Sequence, residues 1–167
     1  PNEIIDACCK IILEPNASDE DLLDLVKGPD FPTGGIIIGK NGIKDAYSKG
    51  KGSIIIRAKT SIENSKKGRE SIIISEIPYS IKKSQLIENI AKVAKEKIID
   101  GISELRDESN REGVRVVIDL KRDIQADVVM NQLYKFTSLQ TSFGINMLAL
   151  NNGVPELLNL RRYLELF

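Results

Sequence analysis

Histidine and tryptophan are absent from this 167-residue sequence, aromatic residues make up only 5%, and cysteine occurs twice, at the adjacent positions Cys8 and Cys9. Without histidine, the usual general base, the Ser-His nucleophile pair and most zinc sites are excluded. Adjacent cysteines do not readily bridge to each other, and no other cysteine completes a metal-ligand pattern with them. Reduced thiols fit a cytoplasmic protein. No apolar run approaches the roughly 18 residues of a membrane span, and Pro1-Asn2-Glu3 lacks both the basic start and the apolar stretch of a signal peptide. The expectation is a soluble cytoplasmic chain with no membrane partner.

Hydrophobic residues reach 41%, enough for a real core in one domain with helical attachments. The formal net charge is zero, but it is unevenly distributed. Residues 1–30 carry eight acids against Lys10 and Lys27, a balance of −6. Residues 49–83 carry nine bases against Glu63, Glu70 and Glu76, a balance of +6. A segregated basic block in a neutral chain is the pattern of a nucleic-acid footprint, and equally of solvated lysine-rich loops.

Asn2 is placed to cap a first helix carrying Ile4, Ile5, Cys8, Ile11 and Ile12 at helical spacing, which Pro15 stops. Ser18 with Asp21 three residues later opens a second helix through Leu22, Leu25 and Val26, ended by Gly28-Pro29. Both read as packed amphipathic helices. Pro29 to Gly35 is turn chemistry, Ile36–Ile38 a short strand, and Ile43–Tyr47 a short helix. Residues 53–59 alternate as a strand, with Ile54, Ile56 and Ala58 on one face and Lys51, Ser53, Ile55, Arg57 and Lys59 on the other. Asn64 to Gly68 turns the chain toward a strand at 71–77, so a basic antiparallel hairpin is expected over 53–77.

From Ser71 onward the pattern is strand 71–77, helix 84–98, strand 102–107, strand 114–120, helix 124–136 and strand 143–150. That is the ferredoxin-like order βαββαβ, an α+β unit beside the hairpin and the N-terminal helices. Ser84 is the expected N-cap of the helix whose stripe is Leu86, Ile87, Ile90, Ala91, Ala94 and Ile98. Leu157 to Phe167 reads as the start of a helix with no stop signal, hence as an element that continues. No internal repeat or low-complexity segment is present.

Four motifs are weighed against plainer readings. Gly34-x4-Gly39-Lys40-Asn41 misses the Walker A loop, because Ser or Thr should follow the lysine and Ile36–Ile38 prefer a strand. Gly39-Lys40-Asn41-Gly42 resembles the GXXG loop of KH domains, which clamps single-stranded nucleic acid, although Asp45 stands where that family carries isoleucine. A strand-to-helix turn explains it more simply. Asp107 and Glu108 could pair on a metal, but beside Arg106 they read as a surface ion-pair cluster. Tyr47, Tyr79, Tyr134 and Tyr163 read as packing residues, since none lies among clustered bases that would stabilise a phosphotyrosine. Lys and Arg aligned along a strand, by contrast, suit sequence-independent contact with successive phosphates.

Several blocks, taken in order, resemble the A subunits of bacterial type IIA DNA topoisomerases. They are Gly28-Pro29-Asp30-Phe31-Pro32-Thr33, Ala46 to Gly52 with Ile56-Arg57-Ala58, and Glu76-Ile77-Pro78-Tyr79. Gly101 to Ser109, Leu120 to Asp123 and Leu139 to Met147 continue the series, and the match covers essentially the whole chain. Glu76 to Tyr79 and the last block resemble DNA gyrase more than topoisomerase IV.

The resemblance implies an internal tower, or shoulder, piece of an ATP-hydrolysing type II enzyme that supercoils DNA negatively. Residues 1–30 would follow a winged-helix domain, 31–155 would form the tower, and 156–167 would begin a helix leading to a coiled-coil gate. It implies two partners, double-stranded DNA and the B subunit of gyrase, and a homodimer of A subunits within an A2B2 assembly. The cleaving tyrosine would precede Pro1, so no catalytic residue and no metal site belong to this piece. ATP and Mg²⁺ would be held through the B subunit, with no cofactor here. Lys49, Lys51, Arg57 and Lys59 are the candidate DNA contacts, matching the family's basic Gly-rich block. The readings from other classes are a free-standing KH-like single-strand binder and a purely structural scaffold.

Overall fold

The structure, a computed structural model, describes residues 1–64 and 68–167. Of the turn expected at 64–68, residues 65–67, with Lys66 and Lys67 of the basic block, lie outside the described residues. The architecture is α+β, as the sequence pattern predicts, and the chain divides into two compact units. One comprises Pro1–Asp30, Ile38–Ile55 and Ser142–Phe167; the other comprises Phe31–Ile37 and Ile56–Thr141.

The first unit contains helices α1 (Asn2–Leu13), α2 (Asp19–Leu25), α3 (Asn41–Lys49) and α6 (Leu160–Leu166). At α2 the sequence reading holds in detail. Ser18 accepts from the Asp21 N–H while Asp21 accepts from the Ser18 N–H, a complete capping box. At α1 it does not. Asn2 lies inside the helix, Pro1 occupies the cap position without a side-chain bond, and of the helix only Ala7 is buried. The expected packed face is largely open, with Ile5 58% and Ile12 75% exposed. The small core gathers Ala7, Leu22, Val26 and Leu160, with Ile11, Leu25, Tyr47 and Leu164 packed against it. Leu148–Asn151 (β8) and Val154–Leu157 (β9) form a two-stranded hairpin turning at Asn152-Gly153.

The second unit holds the larger core. Strands β3 (Lys59–Asn64), β4 (Glu70–Glu76), β5 (Ile102–Asp107) and β6 (Val116–Leu120) form an antiparallel sheet in the order β3-β4-β6-β5. Ile72, Ile74, Val116 and Ile118 share one core with Leu86 and Ile90 of helix α4 (Lys83–Lys95) and Val129 and Leu133 of helix α5 (Ala126–Phe136). Ser84 is not the cap of α4: Lys82 precedes the helix and Ser84 lies in its first turn. The helix ends earlier than 98, because Lys97 adopts φ +55 and turns the chain so that Ile99 is buried and Ile98 exposed.

The element order is the expected βαββαβ, but the last strand, expected at 143–150, is split into β7 (Gln140–Asn146) and β8, and β7 does not join the four-stranded sheet. It pairs with β2 (Lys51–Arg57), which pairs in turn with β1 (Ile36–Ile38). The edge place beside β4 that a fourth ferredoxin-like strand would take is held by β3. The hairpin is accordingly shorter than 53–77. Its arms are 59–64 and 70–76, because the strand expected at 53–59 breaks at Ala58, whose N–H donates to the Leu139 carbonyl.

Candidate nucleic-acid interface

The four sequence-predicted cations divide between the units: Lys49 and Lys51 belong to the first, Arg57 and Lys59 to the second. Exposure along β2 alternates as read from the sequence, with Lys51, Ser53 and Ile55 outward and Ile54 and Ile56 buried. Lys59, however, is the first residue of β3, so the expected run of Lys51, Arg57 and Lys59 along one strand is spread over two strands.

Lys49 closes α3, and Gly50 follows in the left-handed conformation with φ 77. A side chain at 50 would be strained in that conformation and would also meet Leu157 and the Leu158 carbonyl, so glycine is required twice over. The Lys49 ammonium sits 2.7 Å from Asp45, one helical turn back, and both side chains are well exposed. Lys51 projects into solvent with no ion pair among the described residues. The glycines around it pack closely. A Cβ on Gly52 would lie 2.7 Å from the Ala46 nitrogen, and one on Gly42 would lie 2.8 Å from the Ser53 carbonyl carbon. The glycine-rich block therefore lets α3 lie directly against β2. Gly39-Lys40-Asn41-Gly42 is the strand-to-helix turn of the plainer reading, with Lys40 at the N-cap of α3.

In the second unit, Arg57 is half-buried and its orientation is fixed. Its Nε donates to Gln140 Oε1 at 2.6 Å, and its guanidinium carbon lies 4.5 Å from the centre of the Tyr134 ring. Lys59 reaches Glu76 Oε1 at 3.4 Å, while the other oxygen of Glu76 accepts the Gly35 N–H at 2.6 Å. That backbone bond, with the Lys59 charge adding to it, holds the Glu76 carboxyl below its ordinary value.

Glu76 and Tyr79 also tether the Phe31–Gly35 loop, since the Phe31 and Tyr79 rings lie 5.3 Å apart. Sequence blocks distant along the chain thus meet: 31–35 with 76–79, and Arg57-Ala58 with Leu139-Gln140. In the first unit the Met147 N–H donates to the Gly50 carbonyl, which joins two more blocks.

Asp107 and Glu108 form the ion-pair cluster expected of them. Lys83 sits 2.8 Å from Asp107, and Glu108 bridges Arg106 and Arg115 at 3.4 and 3.1 Å. The Lys83 ammonium, with the Ser109 hydroxyl and N–H, lowers the Asp107 pKa to about 2. Arg106 also pairs with Asp119 and Glu104, and Arg115 with Glu63, so this lattice neutralises most of its own charge. Among the tyrosines, Tyr47 is half-buried, and burial followed by the nearby Glu3 and Asp30 carboxylates pushes its pKa up to about 12. Tyr134 and Gln140 were not legible as site residues. They lie 77 and 83 positions from Arg57 in the sequence, and no local spacing links them.

Among the described residues, Lys49 and Lys59 are thus paired with Asp45 and Glu76, while Lys51 and Arg57 have no carboxylate partner. The family model for the A subunit of DNA gyrase/topoisomerase IV matches residues 1–167. The DNA gyrase A subunit of Rickettsia bellii (strain RML369-C) is 56% identical over 165 residues, covering 99% of this chain and 18% of that protein. The namesake from Granulibacter bethesdensis is 52% identical over 100% of the chain and 18% of its own length. That from Streptococcus pneumoniae serotype 4 is 49% identical over 99% of the chain and 20% of its own length. This chain belongs to the family of DNA gyrase/topoisomerase IV A subunits, in line with its sequence blocks. It spans about a fifth of the length of these relatives. Among the described residues, no helix is long and apolar enough to cross a membrane.

Proposed function

We propose that this chain is the tower region of a DNA gyrase A subunit, where it contacts and supports the bent gate DNA. The full enzyme would be a cytoplasmic A2B2 assembly that couples ATP hydrolysis to negative supercoiling. ATP and Mg²⁺ would be held through the B subunit, and the A-subunit tyrosine that cleaves DNA would lie outside residues 1–167. No catalytic residue or metal ligand is assigned to this chain. The observation that carries the reading is the family match over every residue, joined to outward cations in the block that the resemblance marks as basic.

The physics supports the role. Bending 20 to 30 base pairs of duplex by 40 to 90° costs on the order of 1 to 6 kcal/mol, which phosphate contacts on the flanking arms offset. Lys49, Lys51, Arg57 and Lys59 are the residues proposed for those contacts. Lys49 and Lys59 would exchange their carboxylate partners for phosphates at little cost, because an exposed ion pair stabilises by only about 0 to 1 kcal/mol. Contact through lysine and arginine carries no base readout.

Fluorescence anisotropy with duplex and single-stranded oligonucleotides across a salt series tests the reading. Weak duplex binding without sequence preference, steeply reduced by salt, is the expected result. Preference for single strands would favour a KH-like module instead, and absence of binding at low salt would leave a scaffold.

A further inference from the structure

Arg57 differs from the other three candidate cations in how it is held. Lys49 and Lys59 point their charges at carboxylates, and Lys51 extends freely from the start of its strand. The guanidinium of Arg57 is secured on two sides by uncharged groups, Gln140 Oε1 at Nε and the Tyr134 ring against its face. Both are themselves anchored. Tyr134 Oη contacts Met130 Sδ at 3.9 Å, the same sulfur that Thr60 Oγ1 reaches at 3.1 Å. Gln140 opens β7 directly after Leu139, whose carbonyl accepts the Ala58 N–H. The two terminal nitrogens, Nη1 and Nη2, have no hydrogen-bond or ion-pair partner among the described residues, and no carboxylate neutralises the charge.

A guanidinium fixed through Nε and its π face, with both Nη groups open, is a fork already set to its bound geometry. Such a fork matches two oxygens of one phosphate, and little rotamer freedom is lost when it engages. Resting on the proposed tower reading, we infer that Tyr134 and Gln140 are positioning residues that preorganise Arg57 to clasp a single backbone phosphate of duplex DNA in bidentate fashion. Lys59 of the same unit, and Lys49 and Lys51 of the other unit, then act as looser, exchangeable charges. The inference separates arginine from lysine at this position, which net charge alone does not.

The test uses duplex DNA of about 40 base pairs and the full-length A subunit, with affinity measured at several salt concentrations. Arg57→Ala is expected to weaken binding roughly tenfold, the size of one good charge-assisted contact. Arg57→Lys should lose most of that tenfold although the charge is kept. Gln140→Ala and Tyr134→Leu should each cost about threefold. In the Arg57→Ala background, Gln140→Ala should cost nothing further, because its effect runs through the arginine.

Equal loss from Gln140→Ala with and without Arg57 would overturn the positioning role. So would full binding by Arg57→Lys, or a loss on Arg57→Ala with none from Gln140→Ala and Tyr134→Leu. If Lys51→Ala and Lys59→Ala weaken binding while Arg57→Ala does not, the inference fails and the tower reading stands. If none of the four cation variants binds DNA more weakly, the tower reading itself fails. Thermal unfolding of each variant identifies any that loses binding through misfolding, and Gln140→Ala, the mildest change, keeps the test decisive.

Discussion

Replacing Gly42 with alanine separates two meanings of the glycine-rich turn before α3. On helix propensity alone the change should help, because alanine is favoured over glycine by up to about 1 kcal/mol within a helix. Gly42 is not in the positive-φ region, so no backbone strain opposes the substitution. Yet the added Cβ would fall inside contact distance of the Ser53 carbonyl oxygen, 2.8 Å from its carbon and 3.0 Å from Ile54 Cγ2. The closest obstacle is the backbone of β2, so relief requires α3 to move away from that strand. Overpacking of this kind costs about 1 to 3 kcal/mol, and the helix gain offsets part of it.

Gly39 is the control. It has φ 82 and nothing within 4 Å of a Cβ, so alanine there meets only conformational strain of about 1 kcal/mol. Urea unfolding followed by far-UV circular dichroism should show Gly42→Ala less stable than wild type by about 1 to 2 kcal/mol with an unchanged m-value. Gly39→Ala should retain duplex affinity. Wild-type stability in Gly42→Ala, combined with a selective loss of single-strand binding in either variant, would refute the packing argument and restore a GXXG clamp.

Two further outcomes follow from the cores. Spectrophotometric titration of phenolate absorbance should show one tyrosine ionising near pH 12, absent in Tyr47→Phe. Because the folded pKa lies above the unfolded value near 10, stability tied to Tyr47 is intact below pH 10 and falls as pH rises toward 12. A single tyrosine transition near pH 10 would contradict the burial assigned to that ring. Leu86→Ala, at a side chain with no exposed surface in the larger core, should cost about 2 to 5 kcal/mol in urea unfolding. A loss below about 1 kcal/mol would show that α4 does not seal the four-stranded sheet.

Local signals were the most legible ones. The Ser18–Asp21 box, the inward Ile54 and Ile56, and the order from strand 71 to strand 146 all depend on residues within a few positions of one another. Which sheet a strand joins does not. Residues 140–146 alternate as any edge strand does, and nothing in that alternation distinguishes pairing with β2 from pairing with β4. The break between β2 and β3 is likewise a tertiary event, since Ala58 leaves the strand to bond Leu139. At the candidate interface, residue type and outward direction were readable for Lys51. The Arg57 setting was not, because Tyr134 and Gln140 reach it only through the fold. Asn2 and Ser84 have capping chemistry but lie past the cap position, where the helix has already begun.

The central claim is that this chain holds bent DNA through its outward cations. The most direct measurement is the end-to-end distance of a doubly labelled gate duplex, read by resonance energy transfer on the assembly of full-length A and B subunits. Wild type should shorten that distance. The Lys51→Ala, Arg57→Ala, Lys59→Ala triple variant should leave the duplex markedly straighter at a DNA concentration that saturates binding, and the deficit should widen as salt is raised. Identical bending in the triple variant and the wild type across the salt series would contradict the account.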